Sequence, residues 1–208
     1  MCIRDSYKSA LGDKHPLVAS ALSNYAGVLQ AQGKLAEAEP MYRDALAITK
    51  SALGDKHPDL AISLDNLAGV LEAQGKLGEA ESMYRDALAI RKSAFGDNHP
   101  EVATSLNSLA QLLLGQNKLA EAEPMIRDAI AIEKSALGDN HPDVANTRAG
   151  LGILLDAKAR QLDEAGASDP AALARIYAEA AYMVTLAVGA EHAIVLRCRQ
   201  RAAELAGN

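Results

Sequence analysis

The chain has 208 residues and a formal net charge of −6; 49% of its residues are hydrophobic, 3% are aromatic and none is tryptophan. An acidic chain without a long basic stretch is not expected to bind nucleic acid, which requires clustered Lys and Arg, and no run approaches the 18 apolar residues of a membrane span. Ala and Leu dominate the hydrophobic half, and because both favour helices the composition predicts an all-helical protein.

The N-terminal residues 1–6, "MCIRDS", do not match the repeat that follows and are predicted to be a non-native or disordered leader. The repeat is expected to begin within a unit at Tyr7, so that upstream sequence is missing. Cys2 and Cys198 are isolated and have neither disulfide-framework nor metal-ligand spacing. A reduced, cytoplasmic setting is therefore the expectation.

One hexapeptide returns every 42 residues: "LGDKHP" at 11–16 and 53–58, "FGDNHP" at 95–100 and "LGDNHP" at 137–142. The first two copies of the surrounding repeat are identical at about 30 of 40 aligned positions, without a gap. A fixed period of this length is typical of a repeat architecture in which each copy is one supersecondary unit.

Each repeat is predicted to be a pair of helices. Apolar residues recur at spacings of three and four from Leu60 to Leu71 and again from Leu77 to Leu88, which gives two amphipathic helices. Gly75 lies between them and can adopt the left-handed conformation that ends a helix. The repeat is therefore an αα-hairpin.

The hexapeptide itself is interpreted as a helix stop followed by a helix start. Leu53 ends one helix, Gly54 follows as its C-terminal cap, and Pro58 occupies the first position of the next helix, where a missing N–H costs nothing. His57 precedes a proline and so favours the extended backbone of an N-cap residue, and Asp55 suits the intervening turn.

A shared metal site is the alternative role for the four histidines, and it is disfavoured by distance. Zinc ligands must lie about 2.0–2.1 Å from one ion, whereas equivalent atoms of stacked helical pairs are about 8–10 Å apart. No metal ion and no cofactor are predicted.

The third and fourth repeats depart from the pattern. Asn117 replaces the usual glycine, but Asn tolerates the left-handed conformation and the turn should survive. The fourth repeat carries nine additional residues around 163–170, which predict longer helices or a protruding loop, and Asp169 before Pro170 is predicted to be an N-cap. Residues 192–208 are predicted to form a C-terminal capping helix with a polar, arginine-rich side.

The spacing of small and large residues resembles the tetratricopeptide repeat. The first two repeats share it at the following positions: Leu22, Tyr25, Ala26, Leu29, Gly33, Leu35, Ala38, Tyr42 and Ala45, then Leu64, Leu67, Ala68, Leu71, Gly75, Leu77, Ala80, Tyr84 and Ala87. The 42-residue period and the "LGxxHPxVA" connector resemble the kinesin-light-chain type of this repeat. The resemblance implies an all-α fold, a right-handed superhelical α-solenoid of stacked αα-hairpins in a single array over 7–191. The expected repeats are about 15–53, 57–95, 99–137 and 141–189.

The resemblance also implies a binding groove lined by the first helix of each repeat. Mapped onto this sequence, the predicted groove residues are Ser20, Ser23, Asn24, Gln30, Asp65, Asn66, Glu72, Asn107, Ser108, Gln111 and Asn146. An Asn amide both donates and accepts, so it can pair with the backbone of an extended peptide. Replacing Asn24, Asn66 and Asn107 together by Ala is expected to leave the fold intact and abolish partner binding; solvated surface amides are the alternative.

The predicted function is a non-catalytic protein–protein interaction scaffold that binds an extended peptide or partner segment. The mapped positions hold no Lys or Arg, whereas Asp65, Glu72 and Asp156 are acidic, so a neutral to basic partner is expected and capture of a C-terminal carboxylate is disfavoured. The alternative is a sensor or regulatory array of a larger signalling protein, such as a nucleotide-driven switch. Self-association through the truncated N-terminal end is a third possibility. No catalytic motif is distinct from the repeat, so an enzyme is not predicted.

Overall fold

In the computed structural model, residues 15–166 and 169–206 are described; they form nine α-helices and no strand. The chain divides into an N-terminal unit, Met1–Asp97, and a C-terminal unit, Asn98–Asn208, and each is described by itself. The predicted leader and the start of the array at Tyr7 lie outside the described residues. The single array over 7–191 stays a prediction.

The N-terminal unit contains two helical hairpins. Its helices are α1 (Pro16–Ala31), α2 (Leu35–Leu53), α3 (Pro58–Ala73) and α4 (Leu77–Phe95). Helix α1 packs against α2 and α3 against α4, and the two hairpins meet through α2 and α3. The alternation of two amphipathic helices with a short turn, predicted from spacing, is confirmed.

The C-terminal unit contains two further hairpins and a last helix. Its helices are α5 (Pro100–Gly115), α6 (Leu119–Leu137), α7 (Pro142–Glu164), α8 (Pro170–Val188) and α9 (Ala193–Ala206). Helix α6 packs against α5 and α7, and α8 packs against α7 and α9. Both units therefore use the same arrangement of consecutive antiparallel helices.

The recurring histidines cap helices, as predicted. His15, His57, His99 and His141 have extended backbones, and each Nδ1 accepts a hydrogen bond from the backbone N–H two residues later, at 3.1 to 3.2 Å. Each is followed by a proline at the first helical position. Each ring is thereby committed to its own helix, and among the described residues there is no group of three or more His, Cys, Asp or Glu that could hold a metal ion.

The turns also follow the predicted chemistry. Gly54 has a φ of +86° and Gly75 a φ of +77°, while Asn117 has a φ of +62° in place of the glycine of the earlier repeats. Because the left-handed region is costly for most side chains and tolerated by Asn, the third repeat keeps its turn. The Asp169 N-cap is confirmed too, since its Oδ1 accepts from the Ala172 N–H at 2.9 Å.

Replacing His57 by Ala is expected to destabilise the N-terminal unit by about 1 kcal/mol, because the capping acceptor of α3 is lost. His57→Asp, which supplies a carboxylate acceptor at the same position, should recover most of this loss. Urea unfolding followed by circular dichroism measures both. Equal stability of His57→Ala and the parent protein would contradict the capping role.

The nine additional residues of the fourth repeat extend a helix. Helix α7 has 23 residues, against 16 in α1, α3 and α5, and this accounts for seven of the nine. The other two lie in the connection 165–169, which replaces a three-residue turn. The longer helix, one of the two predicted outcomes, is therefore the main consequence of the insertion.

The last helix is held by charges as well as by apolar contacts. Val195 and Cys198 of α9 are buried, Arg197 pairs with Asp156 at 2.5 Å, and Arg201 pairs with Asp163 at 2.7 Å. The polar side predicted for this helix is thus used in part to attach it to α7. Its capping role stays a prediction.

Helix α8 is long and apolar enough, by length and composition, to cross a membrane. Buried helices of folded domains meet the same criterion. Leu173, Tyr177 and Val184 of α8 are at most 3% exposed, and the helix packs between α7 and α9. These three residues therefore belong to the core of the C-terminal unit.

Exposed ion pairs join successive second helices within each unit. In the N-terminal unit, Arg43 bridges Glu39 and Glu79, at 2.8 and 2.9 Å. In the C-terminal unit, Arg127 bridges Glu123 and Glu179, at 2.9 and 2.8 Å. These arginines are about two-fifths exposed, so each pair contributes modestly, on the order of 0–1 kcal/mol.

Candidate functional site

One pocket in the N-terminal unit lies between the first helices α1 and α3, over the C-terminal part of α2, and has a volume of about 340 Å³. Four of the predicted groove residues line it: Ser20, Ser23, Asn24 and Asn66. Asn24 is exposed and Asn66 half-buried, and neither side chain forms a hydrogen bond with the described part of the chain. We call this cavity the N-terminal pocket.

A second pocket, in the C-terminal unit, lies between α5 and α7 over α6 and has a volume of about 370 Å³. Four more predicted residues line it: Asn107, Ser108, Gln111 and Asn146. We call it the C-terminal pocket. Several of its lining residues are equivalent to lining residues of the N-terminal pocket: Thr104 and Asp143 lie 84 residues, or two periods, after Ser20 and Asp59. The two cavities are therefore the same feature of the repeat.

The other three predicted residues line neither pocket, and each is bonded within its own unit. Tyr42 donates to Gln30 Oε1 and Tyr84 donates to Glu72 Oε2, both at 3.2 Å. Asp65 pairs with the buried Arg91 at 2.5 Å. The sequence alone did not indicate that these polar groups hold the hairpins together.

Asn107 also has a structural bond, which corrects one expectation. Its Nδ2 donates to Glu133 Oε1 at 2.8 Å and to Thr147 Oγ1 at 2.9 Å. The equivalent position in the first repeat is Ser23, whereas Asn24 and Asn66 are equivalent to Ser108 in the third repeat. The expectation that the triple replacement of Asn24, Asn66 and Asn107 leaves the fold intact is therefore corrected for Asn107, because its replacement by Ala would remove a hydrogen bond from a buried carboxylate.

Asp156 is not a groove residue, contrary to the sequence interpretation. It is 2% exposed and accepts hydrogen bonds from Arg197 at 2.5 Å and from the Cys198 thiol at 3.2 Å. It also pairs with Arg160 at 3.2 Å. With Asp65 paired to Arg91, two of the three acids that suggested a neutral to basic partner are neutralised within the fold.

The acidity of the pockets comes instead from residues that the sequence reasoning left out. Asp59 lines the N-terminal pocket, and Asp143 and Glu133 line the C-terminal pocket; neither lining set includes Lys or Arg. Glu133 belongs to a second helix, α6, whereas the predicted groove was lined by first helices alone. A signal was present, since the otherwise constant segment "AI-x-K" has Thr49, Arg91 and Glu133 at its variable position.

The one described cysteine is not poised for reaction. Cys198 is fully buried, and burial together with its hydrogen bond to Asp156 raises the pKa of the thiol to about 12. At neutral pH the group is therefore a thiol and not the nucleophilic thiolate. Its observed role is to donate a hydrogen bond that helps to attach α9 to α7.

Comparison with known families and structures identifies the fold. The family model described as "Tetratricopeptide repeat" matches residues 3–51, 17–93 and 66–135, well over half of the chain. No curated protein matches. Among solved structures, the nearly identical TPR-like repeats assigned to a Podosopora anserina kinesin light chain superpose with a TM-score of 0.69 at 22% identity, covering 93% of this chain and 88% of that one.

Two further structures have the same fold. BtubC (BKLC) from P. vanneervenii has a TM-score of 0.62 at 23% identity and covers 98% of this chain and 85% of its own. YrrB, described as a TPR protein with an unusual peptide-binding site, has a TM-score of 0.54 at 19% identity, covering 100% and 94%. These likenesses confirm the predicted fold class, an all-α solenoid of helical hairpins, and the predicted similarity to kinesin-light-chain-like repeats.

Proposed function

Because the chain belongs to the tetratricopeptide repeat family, whose repeats typically form non-catalytic interaction scaffolds, we propose that it binds an extended peptide or partner segment in the N-terminal and C-terminal pockets. A cytoplasmic location is part of the proposal, since the described cysteine is a free thiol and forms no disulfide.

The observation that carries the proposal is the repetition of one polar pocket in both units. The two cavities have nearly the same volume. Asn24 and Asn66 in one, and Asn146 in the other, form no side-chain hydrogen bond with the described residues. Each amide therefore keeps a donor and an acceptor that can pair with a peptide backbone, which presents the complementary groups along an extended chain.

The chemistry of the pockets favours a neutral to basic partner. Asp59, Asp143 and Glu133 are the charged residues that line them, and the chain carries a net charge of −6. A basic segment would be attracted by the negative charge of these carboxylates. A C-terminal carboxylate or an acidic motif would be repelled by them and would find no Lys or Arg in the pockets to pair with. YrrB, which shares the fold, is described as having a peptide-binding site, and this supports a peptide as the ligand.

The proposal is tested by selecting binders for the full chain from a library of random dodecapeptides and measuring their affinity by fluorescence anisotropy. The double variant Asn24→Ala, Asn66→Ala removes two unpaired amides from the N-terminal pocket. The affinity of the selected peptides is expected to fall about tenfold or more, because each lost hydrogen bond contributes about 0.5–1.5 kcal/mol. The melting temperature should change little, since neither amide supports the fold.

The matched control is the double variant Asp44→Ala, Asp86→Ala, which changes two exposed residues of the second helices α2 and α4. Neither residue lines the N-terminal or the C-terminal pocket. The affinities of this double variant should stay within about twofold of those of the parent protein. An equal loss of affinity in both double variants would place binding elsewhere on the molecule. Failure to select any peptide would argue against a peptide ligand altogether.

A further inference from the structure

Glu133 is a buried carboxylate with one oxygen left unsatisfied. The residue is 7% exposed, and its Oε1 accepts from the Asn107 amide at 2.8 Å. Its Oε2 is buried and has no hydrogen-bond partner in the described part of the chain. Buried polar atoms almost always have a partner, and an unpartnered buried carboxylate oxygen is costly. Glu133 is therefore a group whose position is not explained by the folded chain alone.

The unsatisfied carboxylate belongs to the wall of the C-terminal pocket. Glu133 lines this cavity together with Asp143 and the exposed Asn146. The volume of about 370 Å³ is sufficient for a long side chain. No Lys or Arg of the described chain lines the cavity, so the carboxylate has no cation of its own there.

The same position of the repeat shows that packing does not require this charge. In the N-terminal pocket, Thr49 takes the place of Glu133 and Ser63 the place of Thr147, and Ser63 donates to Thr49 at 3.3 Å. That pair is neutral and satisfied. Because the repeat folds with a hydroxyl pair at this position, the carboxylate in the C-terminal pocket is not needed for folding and is better explained by binding.

We propose that Glu133 anchors a subsite for a basic side chain, a guanidinium or a primary amine, carried by the segment that binds in the C-terminal pocket. The inference rests on the proposed function and adds to it the chemistry of one ligand position. A rotation of the Glu133 carboxyl group brings Oε2 to the pocket, where the cationic group donates to it, and Asn146 and Thr104 offer further acceptors.

The electrostatics of the carboxylate agree with this assignment. Burial raises the pKa of Glu133, the nearby Thr147 hydroxyl and the hydrogen bond from Asn107 lower it only in part, and the negative charge of Asp143 raises it further. A cation in the pocket would lower this pKa, because it stabilises the ionised carboxylate. In the free protein the ionised carboxylate is therefore destabilised, and a bound basic group would stabilise it.

The experiment uses two small probes and the full-length chain. N-acetyl-arginine amide and its neutral isostere N-acetyl-citrulline amide are titrated into isotope-labelled protein, and amide chemical shifts are followed by NMR. The arginine probe is expected to shift the signals of Asn107, Asn146 and Thr147 and to bind about tenfold or more tightly than the citrulline probe. Binding of the two probes with equal affinity, or no shift at these three residues, would overturn the subsite.

Two variants separate the charge from the fold. Glu133→Gln keeps the shape of the side chain and should reduce the affinity of the arginine probe about tenfold while leaving the citrulline probe unchanged. Glu133→Thr recreates the hydroxyl pair of the N-terminal pocket and should have the same effect if the glutamine variant fails to fold. Undiminished arginine binding in the folded variant would contradict the proposal.

The outcome is independent of the Asn24 and Asn66 test. Peptides that bind and depend on those two amides, but show no preference for a basic residue and no loss with Glu133→Gln, would leave the scaffold function standing and remove the subsite. Absence of any selected peptide would remove the scaffold function, while the probe titration would still decide whether the pocket takes a cation.

Discussion

The substitution Gly152→Ala is expected to destabilise the C-terminal unit by about 2–3 kcal/mol, one of the two largest effects of any change considered for this protein. A Cβ at Gly152 would lie 2.4 Å from Val184 Cγ2, 3.0 Å from the Ala180 carbonyl oxygen and 3.1 Å from the Val184 amide nitrogen. Rotation of Val184 can relieve only the first contact, because the other two involve the backbone of α8. Helices α7 and α8 must then separate, and the resulting loss exceeds the gain of about 1 kcal/mol that Ala brings to a helix interior.

Gly150→Ala is the matched control for this change. Gly150 lies on the same helix two residues earlier, and a Cβ there would meet no heavy atom within 4 Å. This variant should be as stable as the parent protein or more stable by up to about 1 kcal/mol. Thermal unfolding measures both, with an expected decrease in the melting temperature of about 4–12 °C for Gly152→Ala. Similar melting temperatures for the two variants would contradict the close approach of α7 and α8.

The substitution Asp156→Ala is expected to release α9 and to cost about 2–4 kcal/mol. The buried carboxylate accepts from Arg197 and Cys198, both on α9, and pairs with Arg160 on its own helix. Removing it leaves a buried thiol without its acceptor. The cost stays below that of a fully buried charge, because the side chains of Arg197 and Arg160 are 50% and 53% exposed and can be solvated by water.

Urea unfolding measures the stability of Asp156→Ala, and limited trypsin digestion measures the release of α9. Cleavage should move to the arginines of α9, at 197, 199 and 201, well before the rest of the chain is cut. Asp128→Ala, at an exposed position on α6, is the control and should change neither result. Protection of α9 in the Asp156 variant equal to that in the parent protein would show that apolar contacts alone hold this helix.

The fold could be predicted from the sequence because its determinants are local and repeated. The His57 and Pro58 pair, the left-handed glycines and the stripes at spacings of three and four each specify a short segment through backbone preferences that do not depend on distant residues. Asn117 illustrates this, since a substitution within the pattern kept the turn for the reason that the chemistry of Asn predicts.

The site was predicted less completely, because side-chain pairing across the hairpins depends on distances that the period does not give. Asp65 is neutralised by Arg91, which is 26 residues away, and Asp156 by Arg197, which is 41 residues away. Glu133 was missed because the groove was expected to be lined by the first helix of each repeat. In the structure, the C-terminal part of α6 reaches the cavity between α5 and α7.

The length of α7 is an intermediate case. The segment 154–164, "LLDAKARQLDE", contains neither proline nor glycine and consists largely of good helix formers. This favours a longer helix over a protruding loop. The sequence could not exclude the loop, because the helix continues only where its apolar and charged residues find partners, as Lys158 does with Glu123 and Asp163 with Arg201.

The central claim is that the peptide binds in the two pockets between first helices. Mapping a bound peptide tests this claim most directly. A dodecapeptide selected on the full chain is titrated into isotope-labelled protein, and amide and side-chain shifts are recorded by NMR. The largest shifts are expected at Ser23, Asn24 and Asn66 and at Asn107 and Asn146, with small shifts at the outer Asp44, Asp86 and Asp128. Largest shifts at those outer aspartates, with the pocket amides unmoved, would contradict the account.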